Sequence, residues 1–151
     1  MNRIIPLLVM LFLATSILAQ EKKKENPWRT LSKVTFNKEF DELMGMDIEK
    51  PVYMQPVLDL SGKEITIEGY IIPLKGKKAQ SHFMLSAYPY NMCFFCGAAG
   101  PETVLQAFTK DKKEIEFSSK PVTIKGTLSL NHGDVNEMMY TLSNVELVNS
   151  K

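Results

Sequence analysis

The only two cysteines of the chain stand three apart, Cys93 and Cys96, in the stretch NMCFFCGAAGPE. Thiols at that spacing meet within one tight turn, which the glycines after Cys96 permit, and three chemistries follow. Thiolates hold soft ions such as Zn²⁺ and Cu(I). Neighbouring thiols in an oxidising compartment close a disulfide. A thiol of depressed pKa exchanges disulfides with other proteins.

A closed zinc site takes four ligands. The chain holds just two histidines, His82 and His132, so Cys93, Cys96, His82 and His132 are the one Cys₂His₂ set available. Glu102 and Met92, with Asn91, are the nearer helpers in sequence. Spacing opposes the histidines: His82 opens a strand and Cys93 lies beyond its end, at about 3.3 Å per residue. His132, in the loop before the last strand, is expected near the His82 end. A Cys93–Cys96 disulfide would rigidify the turn more than it stabilises the fold, because so short a loop constrains the unfolded chain little. It would present Phe94, Phe95, Tyr88 and Tyr90 as aromatic anchors for a protein partner. Thiol-disulfide exchange has the least support: no Lys or Arg lies between Lys78 and Lys110, so nothing nearby favours thiolate.

No other catalytic constellation is present. Phosphate-cradling glycine loops, a nucleophile elbow and HExxH are all missing, and Glu68, Asp134 and Glu137 sit in separate segments as solvated charge. Met44, Met84 and one of the neighbours Met138 and Met139 read as packing residues rather than a copper-binding array, since methionine fills irregular cores.

The compartment is read from the N-terminus, where Arg3 precedes IIPLLVMLFLATSILA and a polar QEKKKENP follows. That pattern predicts a signal peptide over residues 1–19 and a periplasmic or secreted protein. The apolar run is shorter than the ~20 residues of a membrane span, so no span is expected after cleavage. Removing residues 1–19 takes away Arg3 and no acid, leaving 17 basic against 17 acidic residues. A balanced surface excludes nucleic acid as a partner, which needs a basic face. Residues 20–27 read as a flexible lead, and 28–151 as a single domain opening at Trp28, large enough for one core.

The segment FNKEFDELMGM places Phe36, Phe40, Leu43 and Met44 at helical spacing, with Asn37 as N-cap and Gly45 as stop, and predicts a short amphipathic helix as a lid. From Leu58 the period changes to two: KEITIEGYIIPL, SHFMLSAY, PVTIKGTLSL and EMMYTLSNVELV read as strands. TVLQAFT fits either another strand or a helical turn. Turns fall at Ser61-Gly62, Lys75-Gly76-Lys77, Lys110-Asp111-Lys112 and Asn131-His132-Gly133-Asp134. Glycines inside the first and fourth strands, Gly69 and Gly126, allow sharp bends. About five main strands in this order predict a mostly β domain, a small OB-like barrel with a short N-terminal helix; a two-layer β-sandwich is the alternative.

Gly62, Lys63, Ile65, Gly69, Tyr70, Pro73, Leu74, Phe83, Leu85, Cys93, Pro101, Val122 and Gly126 carry a further signal. Over roughly 57–147 the chain resembles a family of exported bacterial domains of unknown function. That family has a G-K-x-V/I-x-I-x-G-Y-x-x-P-L strand, then a Cys-x-His loop with prolines and a V-x-V-x-G strand. Where it carries histidine this chain has Phe95, and it offers Cys96 one position later; Gly97-Ala98-Ala99-Gly100 replaces the proline run. The resemblance implies an accessory protein of envelope metal handling or transport; a protein partner in the envelope is expected. Together these readings lead to a non-enzymatic exported protein binding Zn or Cu(I) at Cys93 and Cys96. An interaction module and a thiol-disulfide exchanger are the alternatives.

Overall fold

A computed structural model describes residues 26–148, apart from 75, 77 and 135. The predicted signal peptide, residues 1–19, and most of the predicted lead lie outside the described residues. Asn26 caps a short helix, α1 (Pro27–Leu31), its side chain accepting from the Trp28 N–H at 3.1 Å. Proline in the first turn suits a position whose N–H has no helical partner. Trp28 is buried, and its indole Nε1 donates to the Glu68 carbonyl at 2.7 Å.

The predicted helix over FNKEFDELMGM is instead a β-hairpin. Strand β1 (Val34–Asp41) pairs antiparallel with β2 (Met46–Tyr53), from Val34 opposite Tyr53 to Asp41 opposite Met46. Phe36 and Phe40, four apart, share a face in a strand as well as in a helix, so their spacing did not discriminate. The turn chemistry decides it. Asp41 accepts from the Leu43 and Met44 N–H groups at 2.9 and 3.0 Å, and Gly45 takes the left-handed conformation, φ 66°, before β2 begins. The hairpin is no lid, since Phe40, Leu43 and Met46 at its tip are exposed. The covering role falls to α1 and α2 (Gln55–Leu58), whose Leu31 and Val57 are fully buried.

Five strands close the barrel: β3 (Glu64–Ile72), β5 (His82–Ser86), β6 (Val104–Thr109), β8 (Val122–Leu130) and β9 (Tyr140–Leu147), in the order β3-β5-β6-β9-β8. All pairings are antiparallel except β6 with β9, which is parallel. This is the OB-like arrangement, and the sandwich alternative is set aside. TVLQAFT is strand β6. Strands β4 (Ala79–Gln80) and β7 (Ile115–Glu116) pair antiparallel as a separate two-stranded sheet.

Alternation fixes which side chains point inward. Ile65, Ile67 and Ile71 from β3, Phe83 and Leu85 from β5, and Leu105 and Ala107 from β6 meet Ile124, Leu128, Leu142 and Val145 in one core. Gly69 and Gly126 fall on the same inward rows. A Cβ at Gly69 would lie 2.6 Å from the Ser86 carbonyl oxygen, and one at Gly126 2.7 Å from that of Ser143. Neighbouring strands thus cross too closely for any side chain there. Tyr140, fully buried, donates to the Leu31 carbonyl at 2.6 Å and ties α1 to the barrel.

Candidate cysteine site

The cysteines lie on the connection between β5 and β6, residues 87–103. Its base is closed by the Ala87 N–H on the Thr103 carbonyl at 2.9 Å. Three short 3₁₀ turns follow one another: Tyr90–Met92, Phe94–Cys96 and Pro101–Thr103. The Cys96 N–H donates to the Cys93 carbonyl at 3.1 Å, and Gly97 ends that turn at φ 72°, where a Cβ would be strained. The spacing thus folds both cysteines into a single turn.

This connection folds back along the barrel wall. Ile72, Met84 and Val104 occupy outward positions of β3, β5 and β6, where solvent would be expected, yet all three are buried, because Cys93 packs on them. Ile72 pairs directly with Met84 across the two strands. Phe94 and Met138 complete this second cluster as partly buried neighbours. Cys93 is fully buried and Cys96 exposed, so the pair is graded from interior to surface.

The two sulfurs are not bonded to one another in this structure. Cys96 donates to the Tyr90 carbonyl at 3.0 Å. Its thiol is pushed above the ordinary cysteine value, first by desolvation in the loop and then by its side-chain hydrogen bond with Cys93 and the charge on it. That direction disfavours a free thiolate nucleophile at Cys96 and fits its contact with the Cys93 side chain.

Among the described residues, no three His, Cys, Asp or Glu side chains come together. The cysteines are therefore not joined by His82, His132 or Glu102. His82 stands at the far end of β5, opposite Phe108, with its ring stacked on that phenyl at 4.1 Å. His132 corrects an expectation. The parallel β6–β9 pairing brings the start of β9 beside the start of β6, so the β8–β9 loop that carries His132 lies at the cysteine end, not the His82 end. His132 itself packs edge-on against Tyr53 at 5.4 Å. The Glu102 carboxylate folds over the Gly100 backbone, and its charge acts on Tyr140. Met92 is exposed beside Cys93.

Of the aromatic residues, Tyr90 (65 % exposed), Phe95 (49 %) and Tyr88 (44 %) face outward. Phe94 turns partly inward, with its ring 5.5 Å from that of Phe95. Sequence reasoning missed the wall beneath the loop. Its signal was the break in alternation at Ile71-Ile72, where two apolar residues in a row mean that both faces of the strand are covered.

The fold and this loop define a class: a five-stranded OB-like barrel with a dithiol turn laid on its wall. A family model described as "protein of unknown function (DUF3299)" matches residues 15–149. The chain belongs to the DUF3299 family. It is also similar to the crystal structure of a DUF3299 family protein from Pseudomonas aeruginosa PAO1. The two are 17 % identical with a TM-score of 0.46, over 67 % of this chain and 69 % of that one. A search of curated proteins gave no match. No helix among the described residues is long and apolar enough to cross a membrane.

Proposed function

We propose that this is an exported, non-enzymatic accessory protein of the cell envelope that holds a soft metal ion, Zn²⁺ or Cu(I), between Cys93 and Cys96. The observation that carries it is the pairing of a buried and an exposed thiol in one turn, in side-chain contact. Two adjacent thiolates repel each other, and a bound cation is what makes double ionisation favourable. The raised Cys96 thiol counts against disulfide exchange, where the attacking sulfur is kept ionised. The signal-peptide pattern at residues 1–19 supports export to the periplasm or beyond.

Titration of the reduced mature protein with Zn²⁺ and with Cu(I) tests the reading. Stoichiometric binding that disappears in Cys93→Ser/Cys96→Ser supports it, and failure of both metals to bind overturns it. A second reading rests on the exposed rings of Tyr88, Tyr90 and Phe95, which suit a protein partner docking on a loop rigidified by a Cys93–Cys96 disulfide. Free-thiol counting on protein taken from the envelope separates the two, since the disulfide reading requires no free thiol.

A further inference from the structure

The surroundings of Cys93 go further than its sequence, and this inference rests on the metal-binding reading above. The thiol is enclosed by Ile72, Met84 and Val104, with Phe94 and Met138 packed against them. Every heteroatom that these side chains can offer is a thioether sulfur. No imidazole or carboxylate joins the cysteines to make a third donor among the described residues. Structural Zn²⁺ fills four positions with thiolate, imidazole or carboxylate, and this site supplies two. Thiolate and thioether ligands are the soft set that suits Cu(I), and a monovalent d¹⁰ ion is content with two or three of them.

The geometry points to a sulfur-only Cu(I) site made of Cys93, Cys96 and the thioether of Met138. Two methionines contact the pocket, and Met138 is the one able to serve. Met84 is held at an outward position of β5 between Ile72 and Gln106. Met138 instead lies on the loop leading into β9, partly buried, where its unbranched side chain can reorient. The parallel β6–β9 pairing brings this loop to the cysteines, so residues more than forty positions apart share one pocket. Binding displaces one proton from each thiol, forms two copper–thiolate bonds and adds the neutral thioether. The copper stays Cu(I) and no electron is transferred. The apolar wall then shields the ion on one side, leaving Cys96 as the side of entry.

The test is anaerobic competition for Cu(I) against the chromogenic chelator bicinchoninate, on reduced mature protein. Wild type is compared with Met138→Leu and Met92→Leu, followed by X-ray absorption of the copper-loaded forms. Leucine keeps the volume and the apolar packing, so both variants should fold, with melting temperature as the check. The expected result is one Cu(I) per chain and three sulfur scatterers in wild type. Met138→Leu should leave two sulfurs and bind about tenfold more weakly, equivalent to about 1.4 kcal/mol, while Met92→Leu matches wild type. Unchanged affinity and sulfur count in Met138→Leu, nitrogen or oxygen in the first shell, or Zn²⁺ held more tightly than Cu(I) would each overturn the inference. In the last case, binding that still depends on both cysteines leaves the broader reading standing. If neither metal binds, both fall.

Discussion

Alanine at Gly69 is the sharpest probe of how this barrel closes. The new Cβ would lie 2.6 Å from the Ser86 carbonyl oxygen and 2.9 Å from Leu85 Cγ, where ordinary contact begins at 3.4 Å. The closer of these is 0.8 Å short, and it is backbone of the paired strand β5, which cannot swing aside as a side chain would. Overpacking of a core costs about 1–3 kcal/mol, and a backbone clash belongs at the upper end, about 3 kcal/mol. In a domain of this size each kcal/mol moves the melting temperature by roughly 3–4 °C, so a drop of about 10 °C is expected. Gly126→Ala, with its 2.7 Å approach to the Ser143 carbonyl oxygen, should behave alike. Gly62→Ala is the control: its site is open and its cost is only that of a left-handed backbone, φ 73°, or about 1–2 kcal/mol. Thermal unfolding followed by circular dichroism and by the single tryptophan, Trp28, reads all three. Gly69→Ala melting no lower than Gly62→Ala would refute the close-crossing argument.

Further expectations concern the β1–β2 hairpin, a buried tyrosine and the thiols. Serine at both Phe40 and Leu43, exposed at the hairpin tip, should change denaturant stability by less than about 0.5 kcal/mol; a larger loss would mean that the tip packs on the barrel. Burial raises the Tyr53 hydroxyl from 10.0 to about 12 in the folded protein, where it donates to the Asn131 and Met139 carbonyls. A folded pKa above the unfolded one gives a contribution fully present below about pH 10 and lost as pH rises towards about 12. The stability difference between wild type and Tyr53→Phe should therefore shrink across that window, and a difference that stays constant would count against the assignment. Iodoacetamide at mildly alkaline pH should label the exposed Cys96 slowly and the buried Cys93 only on unfolding. Prompt labelling of Cys93 in the native protein would contradict its burial.

The barrel was legible because its strands obey a local rule. Ile65, Ile67 and Gly69 alternate with Thr66, Glu68 and Tyr70, and the same period recurs in β8, where Ile124, Gly126 and Leu128 point inward. Bent positions were marked by Gly69 and Gly126, since nothing but glycine suits so close a crossing. The β1–β2 hairpin was not legible because Phe36 and Phe40 satisfy both periods; the deciding residues, Asp41 and Gly45, act through a turn, and the pairing itself is non-local. The cysteine turn was visible from spacing and from the glycines behind it. Its seat on the barrel wall was not, because Ile72, Met84, Val104 and Met138 come together only through the sheet register. The misplacement of His132 has the same origin, as no local pattern declares that β6 and β9 run parallel.

The metal content of the native protein puts the central claim to its most direct test. Protein purified from the envelope fraction without added ions, and analysed by native mass spectrometry, should carry one soft metal ion per chain with both thiols intact. The ion should be absent from Cys93→Ser/Cys96→Ser. Metal-free protein with Cys93 and Cys96 joined in a disulfide would contradict the account.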